Sequence, residues 1–173
     1  PSNKKAQIIM GYIIDHIFDN EYTASKFEIG KGETRERIRR ERRKDRINFK
    51  HSDGSLGEVF IISTEGRRTK DVLDALMGFG AGQIIIDESS LVDDAQYFGI
   101  LRMLGGQKEN FLCEIGNAMR RNHFYRSGRD EHYHRIKIDW RQGVAEGRIS
   151  QDFIDEMKRT MRPDIFKMLY DCE

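Results

Sequence analysis

An apolar run that ends abruptly in two adjacent carboxylates constrains this chain more than any other feature. The run is Ile84-Ile85-Ile86, preceded by Gln83, the acids are Asp87 and Glu88, and a glycine-rich turn at 78–82 comes just before it. Short unbroken apolar runs are typical of strands buried in a parallel sheet. Acids at the carboxyl end of such a strand lie where open α/β sheets bind ligands. The pattern therefore predicts a buried strand over 83–87 with a ligand site at its end.

This layout matches a Walker B strand, which carries the magnesium-linked aspartate of nucleotide hydrolases. In such a site Asp87 holds the Mg²⁺ coordination shell, and the metal neutralises charge on the phosphates of ATP. Glu88 polarises the attacking water as a general base. The alternative is a buried strand that ends at a helix N-terminus, where the helix dipole favours acids. The string alone leaves both interpretations open.

The phosphate loop that normally accompanies a Walker B strand is missing from the sequence. No Gly-x-x-x-x-Gly-Lys-Ser/Thr motif occurs in the 173 residues. The segment 29–34 (IGKGET) matches only partly, because Lys31 is followed by Gly32 and the first glycine is misplaced. The glycines of 78–82 precede a strand and do not open a helix, so they predict a tight turn and not a dinucleotide site.

The composition indicates one domain, or one domain with a small appendage. Hydrophobic residues make up 38% and charged residues 34%, and the net charge of +1 argues neither for nor against nucleic acid. Basic residues concentrate locally, with eight basic and three acidic residues over 35–46. This segment predicts a charged helix, which either contacts DNA phosphates or forms a solvated face with i,i+4 ion pairs.

The cysteines and the hydropathy pattern predict an intracellular protein with no membrane span. Cys113 and Cys172 are far apart and form no metal-type pair, so a reducing compartment is expected. No apolar run approaches the roughly 20 residues that a membrane span needs. The chain begins at Pro1 without a methionine, from which we expect a fragment of a longer protein.

Strands and helices alternate along the chain. Apolar spacing predicts a first helix that starts at Ser2 or Asn3 and ends near Asn20, followed by a loop. The alternation predicts an α/β fold with a mostly parallel sheet flanked by helices on both faces. The later predicted elements are helix 35–46, turn 51–55, strand 58–63, helix 69–77, strand 83–87, helix 94–104, strand 111–115, strand 133–140, and helices 150–161 and 163–171, with Ser150 as a cap and Pro163 in a first turn.

Other polar residues are weaker candidates for the same site. Asn117 follows the strand after Asp87, where it either senses the γ-phosphate or forms an ordinary turn. Arg67 and Arg68 follow strand 58–63 and either reach a γ-phosphate or are solvated loop residues. The pair His132-x-His134 would need a third convergent ligand to bind metal. No serine–histidine–acid arrangement stands out from the sequence.

The order of these segments resembles the ATPase domain of the large terminase subunit, the DNA-packaging motor of tailed bacteriophages. The resemblance spans 1–173 and is weakest across 21–50. The order and spacing of the segments are more specific than any one of them. The segments that carry the resemblance are PSNKKAQIIMGYIIDHIFD, STEGRRTKDVLDALMGFGAGQIIIDES, LRMLGG, FLCEIGNAMRRNHFYRS, YHRIKIDW and DIFKMLYDCE.

This resemblance implies an incomplete P-loop NTPase core of the additional-strand, catalytic-glutamate type over 1–118, with a lid subdomain over 119–173. It implies that Asp87 is the Mg²⁺-linked aspartate and Glu88 the catalytic glutamate. Asn117 matches the coupling motif that links hydrolysis to DNA movement. Arg67 or Arg68 lies roughly where some relatives carry a trans-acting arginine finger.

The function implied is an ATP-hydrolysing motor, with Mg²⁺ and ATP as cofactors, that translocates double-stranded DNA into a procapsid. The implied partners are double-stranded DNA, a portal protein, a small terminase subunit and further copies in a ring, in the host cytoplasm and away from membranes. In this family the Walker A loop precedes, and a nuclease domain follows, the segment present here. We therefore expect this piece alone to bind ATP weakly or not at all.

Two alternatives remain open from the sequence. The first is a helicase-like, nucleic-acid-dependent ATPase that shares the strand ending in Asp87 and Glu88. The second is a non-catalytic module, either a prophage remnant or a domain that binds a partner.

Overall fold

The chain divides into two compact units, Pro1–Arg67 and Arg68–Glu173. The computed structural model describes residues 3–26, 46–50, 53–64, 74, 76, 80–106 and 108–173. The predicted helices 35–46 and 69–77 lie largely outside these residues, as does the segment 29–34. The division predicted at residue 118 stays a prediction.

The first unit builds its core from one helical stripe. Helix α1 spans Asn3–Asp19 and α2 spans Glu21–Ser25. Met10, Ile14 and Phe18 recur every four residues along α1, so they share one face, and all three are buried against Ala24 and Ile47. The side chain of Asn20 caps α2 by accepting the N–H of Tyr22 at 2.9 Å, so residues 21–25 are helical where a loop was predicted.

The strands of the first unit form an antiparallel hairpin. Strand β1 (Arg46–Lys50) pairs with β2 (Leu56–Phe60) in the register Arg46↔Phe60 to Lys50↔Leu56. Gly54 has φ 84° in the short connection, a conformation that glycine adopts without cost. The guanidinium of Arg46 lies 2.7 Å from the Glu58 carboxylate. Arg46 therefore begins a strand, and the prediction that it ends a helix is wrong.

The second unit contains one parallel strand pair and a series of short helices. Strand β3 spans Gln83–Ile86 and β4 spans Phe111–Glu114. Helix α3, Asp94–Leu104, connects them and starts and ends where the sequence predicts. The remaining elements are a 3₁₀ turn at Ser89–Leu91, α4 (His123–Ser127), α5 (Trp140–Ala145), α6 (Gln151–Thr160), α7 (Pro163–Phe166) and a π-helix at Lys167–Asp171.

The predicted fold class is wrong. Among the described residues there are two two-stranded sheets, one antiparallel and one parallel, and no large parallel sheet flanked by helices on both faces. The hairpin explains part of this, because β2 pairs antiparallel with β1 across a short turn, where a parallel strand was predicted. Strand β3 is also only partly buried, since Ile86 is buried and Ile85 is exposed.

The predicted strand 133–140 is wrong as well. Residues 134–139 are irregular, and Ile136 and Ile138 are exposed. Asp139 ends this stretch because its carboxylate accepts the N–H groups of Arg141 and Gln142 at 2.9 and 3.4 Å, which caps α5.

The C-terminal helices follow the sequence closely. Ser150 caps α6 by accepting the N–H of Phe153 at 3.2 Å, and Pro163 occupies the first turn of α7, both as predicted. The Trp140 indole N–H donates to Asp171 at 2.9 Å, and the ammonium of Lys158 lies 4.0 Å from the Trp140 ring centroid. These contacts tie α5 to α6 and the π-helix. Within the described part of the chain, no helix has the length and apolar character needed to cross a bilayer.

Ile154 tests the packing of the C-terminal helices. Its side chain is 0% exposed, so Ile154→Ala removes buried methylenes and leaves a cavity. We expect the free energy of unfolding to fall by roughly 2–5 kcal/mol in urea denaturation. Ile136→Ala is the matched control, because Ile136 is 74% exposed. An equal loss in both variants would contradict the packing described here.

Candidate functional site

The parallel pair brings two loops together at its carboxyl edge. Its ladder continues beyond the strands, because the N–H of Ile115 donates to the carbonyl of Ile86 at 2.9 Å. The N–H of Ser89 then donates to the carbonyl of Ile115 at 2.8 Å. The turn at 87–89 and the loop that begins at 115 are therefore joined backbone to backbone. The predicted neighbourhood of the two strand ends is present at this edge.

Gly116 lies directly against Glu88. A Cβ atom on Gly116 would lie 3.3 Å from the Glu88 Cα and 3.3 Å from the Ser89 nitrogen. Gly116 also has φ 148°, which side-chain-bearing residues rarely adopt. Both constraints favour glycine at the position before Asn117. The close approach of the two loops thus depends on the absence of a side chain.

Glu88 has a left-handed backbone conformation, with φ 52° and ψ 44°. This conformation is uncommon for residues other than glycine, asparagine and aspartate, and it persists where the surrounding structure holds it. Asp87 and Glu88 are both half-buried. Neither carboxylate has a hydrogen-bond or ion-pair partner among the described residues. Two carboxylates at one strand end are therefore available to a ligand.

This donor set fits Mg²⁺ bound together with a phosphorylated substrate. Mg²⁺ commonly takes one or two protein carboxylates and fills its other positions with water and substrate phosphate oxygens. Asp87 supplies such a carboxylate at the end of β3. No group of three or more histidine, cysteine, aspartate or glutamate side chains that could hold a metal occurs in the described residues.

Asn117 follows Gly116, and its side chain lies next to Cys172, near the end of the chain. The thiol of Cys172 lies 4.0 Å from the Asn117 side-chain oxygen and 3.2 Å from the carbonyl of Ile138. Burial raises the pKa of the Cys172 thiol, which keeps it protonated as a donor. The residue predicted to couple hydrolysis to movement thus contacts the C-terminal segment.

The remaining predicted residues contribute little to this edge. Arg67 and Arg68 lie outside the described residues. His132 lies beside Asp130 at 2.9 Å in a turn. His134 is exposed in an irregular stretch.

Sequence reasoning missed a buried polar network that begins at Ser89, the residue after the two acids. The Ser89 hydroxyl donates to the Glu114 carboxylate at 2.7 Å and lies 3.1 Å from Nε2 of His123. Nδ1 of His123 lies 3.3 Å from the carboxylate of Asp94. The contacts join side chains that are 25 to 34 positions apart, so no local sequence pattern predicts them.

The order serine, histidine, aspartate in this network is that of a hydrolase triad, but the surroundings exclude a nucleophilic serine. Ser89 is 0% exposed, so no electrophile reaches its hydroxyl. The hydroxyl also donates its proton to Glu114, whereas a nucleophilic serine gives it to histidine. The network therefore positions the main chain around Ser89 and does not attack a substrate.

Tyr97 closes the network on one side. Its ring stacks on the His123 ring with 3.9 Å between centroids and 11° between planes. Its hydroxyl lies 3.3 Å from the Glu114 carboxylate and 2.9 Å from the Tyr133 hydroxyl. Burial raises the pKa of Tyr97, and the hydrogen bond with Tyr133 raises it further. Tyr97 is therefore a neutral hydrogen-bonding partner at physiological pH.

Comparison with protein-family models, with curated proteins and with solved structures found no match to this chain.

Gly116 provides a test of the close approach between the two loops. Gly116→Ala combines a strained φ with a Cβ placed against the backbone of Glu88 and Ser89. We expect it to lower the free energy of unfolding by about 1–3 kcal/mol. Gly106→Ala is the matched control, because no atom lies within 4 Å of its added Cβ. Equal midpoints of chemical denaturation for the two variants would argue against the observed contact.

The ion pair at the start of α3 gives a pH-dependent test. The Arg126 guanidinium, 2.7 Å from Asp94, holds the pKa of that carboxyl below its usual value, and the N–H of His123 adds to this. A lowered folded-state pKa stabilises the protein above the unfolded-state pKa, and the stabilisation is lost as pH falls through the folded-state value. The stability difference between wild type and Asp94→Asn should therefore be full at neutral pH and shrink below about pH 4.

Thermal unfolding from about pH 7 to about pH 3 measures this difference. Glu131→Gln is the control, because its exposed carboxylate has no partner among the described residues. A wild-type advantage over Asp94→Asn that stays constant across this range would contradict the assignment.

Proposed function

We propose that this chain is part of the ATP-hydrolysing motor of a terminase large subunit, which translocates double-stranded DNA into a procapsid. One observation carries the proposal: the loop holding Gly116 and Asn117 packs directly on the backbone of Glu88. A hydrolytic motor needs its catalytic acid and its coupling loop to respond to each other, and backbone contact provides this. The proposal depends on the parallel pair alone and not on a larger sheet.

In this proposal the two acids have different roles. Asp87 would hold the Mg²⁺ shell, which would supply the positive charge that offsets the β- and γ-phosphates. Glu88 accepts a proton from the attacking water as a general base. Because neither carboxylate is engaged by another described side chain, neither must break an ion pair before it acts.

Asn117 would connect hydrolysis to movement. It follows Gly116 in the loop that contacts Glu88, and its side chain lies beside Cys172 near the end of the chain. A displacement at Glu88 can therefore reach the C-terminal segment through one short loop. Either Arg67 or Arg68 would supply the arginine finger to a neighbouring copy.

The remaining parts of the motor would lie elsewhere in a longer protein and in its partners. The sequence contains no phosphate loop, so the backbone groups that cradle ATP phosphates would come from another segment. The proposed partners are double-stranded DNA, a portal protein, a small terminase subunit and further copies in a ring in the host cytoplasm. The grip on DNA would be electrostatic and would weaken as salt is added.

Glu88→Gln in the full-length protein tests the proposal. The amide cannot accept the proton of water, so we expect kcat for ATP hydrolysis to fall by about 10²–10⁴-fold. The KM for ATP should change little, because the amide leaves phosphate binding intact. Glu109→Gln is the matched control, since Glu109 is exposed and lies at the opposite end of β4. Turnover by Glu88→Gln at the wild-type rate would overturn the catalytic role.

The choice of nucleic acid separates the proposed motor from the alternatives. Stimulation by blunt double-stranded DNA, without strand separation, supports a packaging motor. Displacement of one strand from a tailed duplex would instead indicate a helicase-like ATPase. A full-length wild-type protein that neither binds nor hydrolyses ATP would indicate a non-catalytic, partner-binding module.

A further inference from the structure

The residue that follows Glu88 is fixed through both its side chain and its main chain. The Ser89 hydroxyl donates to Glu114 at the end of β4, and its amide donates to the carbonyl of Ile115. The Glu114 side chain is itself 5% exposed, so its carboxylate is removed from water. A buried carboxylate requires hydrogen-bond donors, and Ser89 and Tyr97 both lie within reach of it.

His123 fixes Ser89 from the opposite side. The His123 side chain is 2% exposed, and its Nε2 lies 3.1 Å from the Ser89 hydroxyl oxygen. Because the single proton of that hydroxyl goes to Glu114, the hydroxyl accepts from His123 when Nε2 carries a proton. The imidazole is held in turn by the Tyr97 ring and by the Asp94 carboxylate, which also accepts the His123 backbone N–H at 2.8 Å. The ring has little freedom to rotate or translate.

The residue before His123 holds the same turn by a second pair of hydrogen bonds. The amide nitrogen of Asn122 donates to the carbonyls of Ser90 and Val92, each at 3.0 Å. Asn122 and His123, at the start of α4, therefore both contact the turn that follows Glu88. A shift of α4 would carry this turn with it.

This arrangement explains why Glu88 keeps a left-handed backbone. The conformation is unfavourable for glutamate by itself and needs restraint from both neighbours. Restraint comes from Ser89 on one side and from the pairing of Ile86 with Ile115 on the other. The φ and ψ angles of Glu88 set the direction of its side chain, so the network determines where the carboxylate lies.

We propose that Ser89, His123 and Glu114 are positioning residues that hold Glu88 at the angle needed for water activation and link that angle to the placement of α4. The inference rests on the proposed ATPase function, because it assigns these residues a role through Glu88. None of the three touches the reacting atoms. Ser89 is the element that connects the catalytic turn to β4 and α4 together.

The neighbouring serine supplies a matched control. Ser89 and Ser90 are adjacent and both 0% exposed. The Ser89 hydroxyl has two partners, whereas the Ser90 hydroxyl has none among the described residues. Ser89→Ala and Ser90→Ala thus remove the same atom from equally buried positions, and only the first breaks the network.

The experiment compares steady-state ATP hydrolysis by the full-length wild type, Ser89→Ala, Ser90→Ala and Glu88→Gln. We expect Ser89→Ala to lower kcat roughly tenfold to a hundredfold while the KM for ATP stays within about twofold, because a misplaced base impairs chemistry and not binding. Ser90→Ala should turn over at the wild-type rate. A defect that arose only from lower stability would reduce the active fraction, which a thermal-unfolding control at the assay temperature detects.

Two variants of His123 test the same role if Ser89→Ala fails to fold. His123→Gln keeps a side-chain N–H donor that can reach the Ser89 hydroxyl, and His123→Leu has none. We expect His123→Gln to retain most of the wild-type kcat and His123→Leu to lose it at least tenfold. Equal turnover by the two histidine variants would overturn the positioning role.

The outcomes separate the two proposals. If Glu88→Gln is inactive while Ser89→Ala is as active as Ser90→Ala, the network proposal is overturned and the ATPase proposal stands. Glu88→Gln as active as wild type would overturn the catalytic role of Glu88, and the network proposal with it, whereas a wild type that does not hydrolyse ATP would overturn the ATPase proposal itself. If Glu88→Gln is inactive, Ser89→Ala is reduced in kcat alone and Ser90→Ala is unchanged, the network proposal and the ATPase proposal are both supported.

Discussion

The hydrogen bonds that extend the parallel ladder past Ile86 organise the whole site. Ile115 donates its N–H to Ile86 before the turn at 87–89 and accepts from Ser89 with its C=O, so the two peptide groups that flank its Cα span the two acids. The register Ile86↔Glu114 then places the Glu114 carboxylate next to Ser89. A slip of the pairing by one residue would turn Glu114 to the opposite face of the strand and remove the acceptor for Ser89. The pairing register and the polar network therefore depend on each other.

A buried polar network of this kind gives specificity at an energetic cost. Ser89, Glu114 and His123 each lose water, and only mutual hydrogen bonds offset that loss. By contrast, the hydroxyl of Ser90 and the side-chain oxygen of Asn122 are buried with no partner in the described part of the chain. Each such atom costs roughly 1–3 kcal/mol. Both of these unpartnered atoms belong to the second unit, where the two acids also lie.

Local patterns predicted local elements, and pairing between distant elements escaped prediction. The bounds of α3 and the positions of β3 and β4 follow from apolar periodicity, and Ser150 and Pro163 follow from helix-end chemistry. Strand β1 was missed because Arg46 and Lys50 are charged and continue a basic run that favours a helix. The fold class was wrong because it depends on which strand pairs with which, and β2 pairs across a short turn. Periodicity within one strand carries no information about that choice.

The candidate site also combines residues that a local sequence motif identifies with residues that come together only when the chain folds. Asp87, Glu88 and Asn117 were visible as the ends of two predicted strands whose proximity required a parallel pair, and the pair is present. The Ser89 network was invisible because its members lie on a turn, a strand and a helix that no spacing rule connects. The chain engages the carboxylates of Glu114 and Asp94 with hydrogen-bond donors, yet leaves those of Asp87 and Glu88 without partners among the described residues. It also holds Glu88 in a strained conformation. Proteins concentrate such departures from local preference at functional sites, so the two acids without described partners, next to the Ser89 network, are the strongest candidate for such a site in the described residues.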